Sequence, residues 1–289
     1  MEKRKVFVYG TLRKGETNHF LLDDATCFSK QAWTNGVLYD TGFGFPAMME
    51  CSDNRVYGEI YEVTMEQLKK LDSLEGYRGD DQDNHYHRIE RSIFTDAGQV
   101  EAYLYVYKQV QTIGLWELKF GDWRWHRILD GRNEFLYFAY GSCMDDERFV
   151  ESGVSSYFSK VIGCGKADGY SLGFTRRTFD GGRADMMEVK GDRVEGKVYE
   201  IQGEALSYLY GREGVDTGIY RPAVIDILVE GKRYENVITF FVIEKGEEMA
   251  PPHHYAREIL RGAKGFVSEE YYNKLRSDLI MKFQIKIFN

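Results

Sequence analysis

One block of this chain occurs twice in a single register. Met48-Met49-Glu50, Gly58, Tyr61-Glu62, Glu66, Leu68, Leu71 and Glu75-Gly76 reappear as Met186-Met187-Glu188, Gly196, Tyr199-Glu200, Glu204, Leu206, Leu209 and Glu213-Gly214, each displaced by 138 positions (213 − 75). So many identities at one ungapped offset predict two copies of one scaffold. Upstream of each block an apolar, strand-like run ends in Tyr-Gly, as Val6-Phe7-Val8-Tyr9-Gly10-Thr11 and as Leu136-Tyr137-Phe138-Ala139-Tyr140-Gly141-Ser142. These two pairs are displaced by 131, so the intervening loops differ by seven residues (138 − 131).

Length agrees with duplication, since 289 residues make two domains at about 100–200 residues each. The expected division is a first domain over 1–113, a tryptophan-rich connecting segment over 114–133 and a second domain over 134–289. A composition of 43% hydrophobic and 29% charged residues is that of a globular chain. No apolar run approaches the roughly 18 residues of a membrane span, so no membrane partner is expected. Met1-Glu2-Lys3-Arg4-Lys5 leads directly into a strand pattern and not into a secretory signal, which predicts a cytoplasmic protein. Cys27, Cys51, Cys143 and Cys164 lack paired spacing, so neither a zinc ribbon nor a redox dithiol is expected and the thiols should be reduced. A net charge of −8 argues against a nucleic-acid partner, whose phosphates are bound mainly by lysine and arginine. A small-molecule substrate is expected instead.

Locally, Val100, Ala102, Leu104 and Val106 alternate with Glu101, Tyr103, Tyr105 and Tyr107, a strand with one aliphatic and one tyrosine face after a turn at Asp96-Ala97-Gly98. Further hairpin turns are expected at Asp53-Asn54 and, in the second copy, at Gly191-Asp192. A helix should start after Thr64, with Gln67 completing a capping box. It should place Leu68, Leu71 and Leu74 on one face and stop at Gly76. Strands outnumber helices and antiparallel hairpins recur, so each half reads as α+β and not as a doubly wound parallel sheet. The 114–133 segment holds Trp116, Trp123 and Trp125 with Arg124, His126 and Arg127. Its expected role is to end a domain and pack between the halves, because the acidity of the chain disfavours an aromatic and basic nucleic-acid patch.

Glu75 and Glu213 are the candidate catalytic groups. A carboxylate at a helix carboxyl end is opposed by the helix dipole, and burial acts in the same direction, raising the pKa toward a value at which the group can take and return a proton. The Tyr-Gly loop that follows a strand offers backbone N–H groups suited to cradling a carboxylate. His85-Tyr86-His87 and His253-His254 have no carboxylate at ligand spacing, so no metal site is expected. Cys143 has no counterpart at Leu12 and reads as a packing residue.

These residues also carry a family resemblance. Tyr9-Gly10-Thr11-Leu12-Arg13-Lys14-Gly15 with Leu71-Asp72-Ser73-Leu74-Glu75-Gly76-Tyr77 resembles the γ-glutamylamine cyclotransferase branch of the γ-glutamylcyclotransferase-like family. Phe138-Ala139-Tyr140-Gly141-Ser142, Arg212-Glu213-Gly214-Val215, Gly218-Ile219-Tyr220, Pro251-Pro252, Tyr255 and Gly262-Ala263-Lys264 resemble γ-glutamylcyclotransferase itself. The resemblance spans nearly the whole chain apart from the tryptophan segment. It implies two tandem domains, each a small mixed β-barrel with flanking helices, and release of 5-oxoproline from a γ-glutamyl amine, amino acid or peptide without metal or organic cofactor. It also implies that Glu75 and Glu213 are the acid/base groups. Tyr9, Gly10, Thr11 and Leu12 would bind substrate in the first half, and Tyr137, Phe138, Ala139, Tyr140, Gly141, Ser142, Tyr220 and Tyr255 in the second. Two positions depart from the family pattern: Cys143 replaces an asparagine, and Leu209-Tyr210-Gly211-Arg212 replaces a more acidic approach to Glu213. An inward Arg212 would lower the pKa of that glutamate. The alternative function is a non-catalytic protein that binds γ-glutamyl or related amino-acid-like ligands, including the case in which one half serves only as structural support.

Overall fold

The computed structural model describes residues 2–80 and 82–286. The chain divides into two compact units, Met1–Arg127 and Ile128–Asn289. The first contains β1 (Lys3–Val8), β2 (Thr26–Asn35), β3 (Val37–Asp40), β4 (Pro46–Met49), β5 (Arg55–Thr64), α1 (Met65–Leu74), β6 (His87–Thr95), β7 (Gly98–Val106) and β8 (Trp116–Glu117), with α2 (Trp123–Leu129) at its end. The second contains β9 (Glu134–Ala139), α3 (Asp146–Glu151), β10 (Lys160–Thr178), β11 (Gly181–Gln202), α4 (Gly203–Glu213), β12 (Tyr220–Val229), β13 (Lys232–Val242), α5 (His253–Ala263) and α6 (Glu269–Met281).

Each unit is built on a closed five-stranded barrel. The first runs β1-β5-β2-β6-β7 and closes through a parallel contact of Val6 with Tyr103. The second runs β9-β11-β10-β12-β13 and closes the same way, Tyr137 beside Ile238. Strand for strand the two match, and the helix after the second strand of each order, α1 or α4, carries the repeated glutamate at its end. The α+β class is what the residue patterns predict, and the mixed barrel with flanking helices is what the family resemblance implies.

Alternation along the strands sorts the core of the first unit. Phe7, Ala32, Val56, Ile60, Ile93, Ala102 and Leu104, drawn from all five barrel strands, form the interior cluster. Val6, Val8, Tyr61, Val63 and Tyr105 face outward beneath Leu68 and Leu71 of α1. Each such aliphatic or aromatic side chain contributes about 1.5–3 kcal/mol when fully buried. The capping box forms as predicted, with Gln67 N–H donating to Thr64 Oγ1 at 3.2 Å and Thr64 N–H to Gln67 Oε1 at 2.8 Å. Leu74 departs from expectation: it is 41% exposed because the helical face it occupies opens onto a cavity.

Two further expectations are corrected. Asp53-Asn54 and Gly191-Asp192 do not turn hairpins. In the first unit β4 pairs only with β3, in a small sheet β4-β3-β8, and residues 50–54 carry the chain from that sheet into the barrel. In the second, β11 runs on through Gly191, and the interruption appears as a shift in its pairing with β10 between Asp168 and Tyr170. The polar, turn-forming residues mark where the chain passes into the barrel, from the small sheet in the first unit and from the distal β10–β11 pairing in the second. Trp123 also differs from the expected packing between halves, for it joins the interior cluster of the first unit, while Trp116 is 82% exposed.

Candidate active sites

Each unit holds a cavity at the end of its first barrel strand, about 220 Å³ in the first and 230 Å³ in the second. The first is lined by Tyr9, Gly10, Thr11, Leu12 and Glu75. The second is lined by Tyr137, Tyr140, Gly141, Ser142, Glu213, Tyr220 and Tyr255. Sequence reasoning therefore brings its candidates together, apart from Phe138 and Ala139, which are buried strand residues behind the second cavity and contribute packing.

The same hydrogen bonds frame both cavities. Tyr9 donates its hydroxyl to Tyr105 O at 2.7 Å, and Tyr140 donates to Phe240 O at 2.6 Å. Tyr86 donates to Pro46 O and Tyr220 to Ala184 O, each at 2.7 Å. Pro46 and Ala184 are themselves equivalent in the 138-residue register (184 − 46). Against them lie the loop glycines: a Cβ on Gly10 would stand 2.7 Å from Pro46 Cγ, and one on Gly141 would stand 3.1 Å from Ala184 Cβ. Neither glycine has a positive φ. The loop needs them for close approach and not for a left-handed turn. Among the described residues, the N–H groups of Gly10, Thr11 and Leu12, and of Gly141, Ser142 and Cys143, donate to no protein acceptor. Tyr255 Oη accepts from Ala184 N–H at 3.2 Å, and burial pushes its pKa up to about 12.

The glutamates face these loops. Gly76 and Gly214, at φ 65° and 63°, end the helices and turn the chain at each carboxylate. Burial alone raises the pKa of Glu75 from 4.5 to about 8. Burial also raises that of Glu213, opposed in order by Arg212, the Cys143 thiol, Arg176 and Arg148. Arg212 does turn inward, its Nε 3.9 Å from Glu213 Oε1 and 3.1 Å from Cys143 Sγ, and its Nη2 donates to Ser142 Oγ at 3.1 Å. Cys143 is buried and its thiol donates to Glu213 Oε1 at 3.7 Å, so it is more than packing. Glu75 is thereby held where a proton can be taken near neutral pH and returned, and the Glu213 pKa is shifted in the same direction.

Each loop is fastened from below, but with opposite charges. In the first unit, buried Arg13 donates to Asp122 Oδ1 at 2.6 Å and to Glu59 Oε1 at 3.3 Å, while Tyr61 and Lys14 N–H also donate to Glu59. In the second, the residue equivalent to Glu59 is Lys197 (197 − 59 = 138), which donates to Asp146 at 2.9 Å. Tyr199, the counterpart of Tyr61, donates to the same Asp146 and to Cys143 O.

Several lining residues were not anticipated. Asn18, Phe45, Pro46, His85 and Tyr86 line the first cavity, and Arg148, Arg176, Arg183, Ala184, Phe240 and His254 line the second. Phe45-Pro46 and Arg183-Ala184 are corresponding pairs in the 138-residue register, but their residues differ, so identity between the copies does not mark them. His85 is bound to Tyr107 Oη at 2.9 Å, and no cluster of three metal-ligating side chains exists among the described residues.

Comparison with known proteins accords with this arrangement. Residues 6–125 match the family model for gamma-glutamyl cyclotransferase, AIG2-like, and residues 193–275 match that of the AIG2-like family. The chain is 41% identical over 273 residues to YkqA of Bacillus subtilis, itself assigned to the γ-glutamylcyclotransferases only provisionally, covering 94% of this chain and 95% of that protein. The crystal structure of YkqA superposes with a TM-score of 0.87 at 39% identity, over 97% of this chain and 98% of that one. The gamma-L-glutamyl-butirosin B gamma-glutamyl cyclotransferase of Niallia circulans is 40% identical over 43% of this chain and 77% of its own length. The gamma-glutamylcyclotransferase of Bos taurus is 36% identical over 52% of this chain and 81% of its own. Two family matches in one chain, a duplicated barrel and end-to-end similarity to YkqA place this protein in the gamma-glutamyl cyclotransferase, AIG2-like family, as a tandem pair of such domains.

Proposed function

We propose that each half releases 5-oxoproline from a γ-glutamyl compound by intramolecular aminolysis, with Glu75 or Glu213 as the acid/base group. The observation that carries the reading is the pairing, in both cavities, of a carboxyl group with raised pKa and a loop of unengaged N–H groups. The loop holds the substrate's α-carboxylate, which leaves the α-ammonium facing the glutamate. That cation stabilises the ionised carboxylate and draws its pKa down on binding. The glutamate removes one ammonium proton. The freed amine then attacks the δ-carbonyl, the ring C–N bond forms and the bond to the leaving amine breaks. The glutamate hands that proton to the departing nitrogen and accepts the second proton shed by the ring nitrogen, which it passes on to the released amine, so the products are 5-oxoproline with a neutral ring N–H and a protonated amine. Because attack is intramolecular, orientation supplies most of what is required. The substrate is a small γ-glutamyl molecule, and a cytoplasmic setting suits such a pool.

Incubating the protein with γ-glutamyl amines, amino acids and peptides while assaying 5-oxoproline tests the reading. Product from the wild type, with separate substrates lost in Glu75→Gln and Glu213→Gln, is expected. Saturable binding without 5-oxoproline would instead make this a binding protein.

A further inference from the structure

The two cavities share their frame but not their charge. Among the described residues no lysine or arginine lines the first, whereas Arg148, Arg176, Arg183 and Arg212 line the second, with His254. Arg183 occupies the place of Phe45, one residue before the equivalent pair Pro46 and Ala184. On the reading above, the glutamyl portion of the substrate is common to both halves and is held in the first without any cation. The guanidinium groups peculiar to the second cavity therefore face the portion that differs, the leaving amine.

Their partners show which of them remain available. Arg148 is paired with Glu258. Arg212 is fastened to Ser142 and Cys143. Arg183 meets Asp180 with two contacts of 2.9 Å but stays 5.0 Å from the Tyr255 ring centre, over the cavity wall. Arg176 has no carboxylate partner among the described residues; its guanidinium lies over the Tyr220 ring at 5.6 Å. Glu213 shares this cavity and feels Arg176 electrostatically without forming an ion pair with it; a half-buried guanidinium held in no ion pair favours an anionic ligand, and its planar fork matches a carboxylate.

We infer that the second site selects γ-glutamyl compounds whose leaving group is an acidic amino acid, with Arg176, aided by Arg183, receiving the side-chain carboxylate. This rests on the catalytic reading of the second half for its turnover test, but not for its binding test. The experiment uses the full chain carrying Glu75→Gln, which silences the first site, and compares γ-glutamyl-glutamate with γ-glutamyl-glutamine, a pair differing by one negative charge. A kcat/KM at least about tenfold higher for the acidic dipeptide is expected, shrinking at higher salt. Arg176→Gln should cut turnover of the acidic dipeptide about tenfold more than that of the amide. Ratios within twofold in the parent, or equal losses in the variant, would overturn the inference. Should neither dipeptide yield 5-oxoproline, the catalytic reading of this half fails, and calorimetric binding of the same pair decides the inference separately. A preference for the acidic dipeptide that Arg176→Gln abolishes sustains it, and equal affinities refute it.

Discussion

Replacing Glu75 by glutamine should make the first unit more stable, and by an amount that grows with pH. Glu75 titrates near 8 in the folded protein against 4.5 when exposed. At about 1.4 kcal/mol per pKa unit, ionising it costs the native state on the order of 3–5 kcal/mol once solvent at the cavity mouth is allowed for. The sign is opposite to that of a salt-bridged carboxylate. Below pH 4.5 the group is protonated in both states and contributes no penalty. Between 4.5 and about 8 the folded state retains a proton that the unfolded chain has lost, so stability falls as pH rises; beyond that the penalty is constant. A glutamine cannot ionise and escapes the whole of this loss. The assay is built into the sequence, because Trp33, Trp116, Trp123 and Trp125 are the four tryptophans of the chain and all lie within Met1–Arg127. Urea titration followed by tryptophan fluorescence therefore reports the first unit. The midpoint difference between Glu75→Gln and wild type should widen from pH 5 to about pH 8 and level off above it, and Glu213→Gln should leave this transition in place. A difference independent of pH would show that Glu75 is not a buried carboxyl of raised pKa.

Other outcomes follow from the same geometry. For first-half substrates, kcat/KM should rise with pH through about 8 as Glu75 ionises in the free protein, and Glu75→Gln should lower it about 10²–10⁴-fold. Arg212→Gln removes the strongest influence that lowers the Glu213 pKa, so the rising limb of the second site's pH profile should move to higher pH. Gly10→Ala would drive a methyl group to 2.7 Å from Pro46, with a loss of about 1–3 kcal/mol in the fluorescence-monitored transition. Asp122→Ala leaves buried Arg13 without its nearest carboxylate, 2.6 Å away, and should cost about 3–5 kcal/mol in that same transition.

What the sequence disclosed was whatever repeats or caps. The 138-residue register located both glutamates and the matching helices, and the repeated Tyr-Gly, displaced by 131, located both loops, because a duplicated backbone needs the same close approaches and helix stops twice. Thr64 and Gln67 announced their helix through local hydrogen bonding alone. The topology around these turns was hidden: Asp53-Asn54 and Gly191-Asp192 have the composition of hairpin turns, and only strand pairing reveals that the first joins a small sheet to the barrel and the second lies within one long strand. Trp123 read as an inter-domain residue because it lies outside the repeat, whereas closing the barrel interior is a tertiary matter. The arginines of the second cavity were equally obscure, since Arg148, Arg176 and Arg183 come from a helix and two long strands and converge only on folding.

The reversed fastenings beneath the two loops bear on how such a chain avoids tangling. Tandem domains of like sequence can exchange equivalent segments while folding, and the hazard grows with their similarity. Here an exchange of the strands that carry Glu59 and Lys197 would set Glu59 against Asp146 and Lys197 against Arg13, two like-charged encounters, with Glu59, Arg13 and Lys197 buried and Asp146 at the surface. Correct assembly pairs each with its opposite. The two halves thus share a backbone plan while differing in charge beneath their loops, so that polarity sorts what shape alone would confuse.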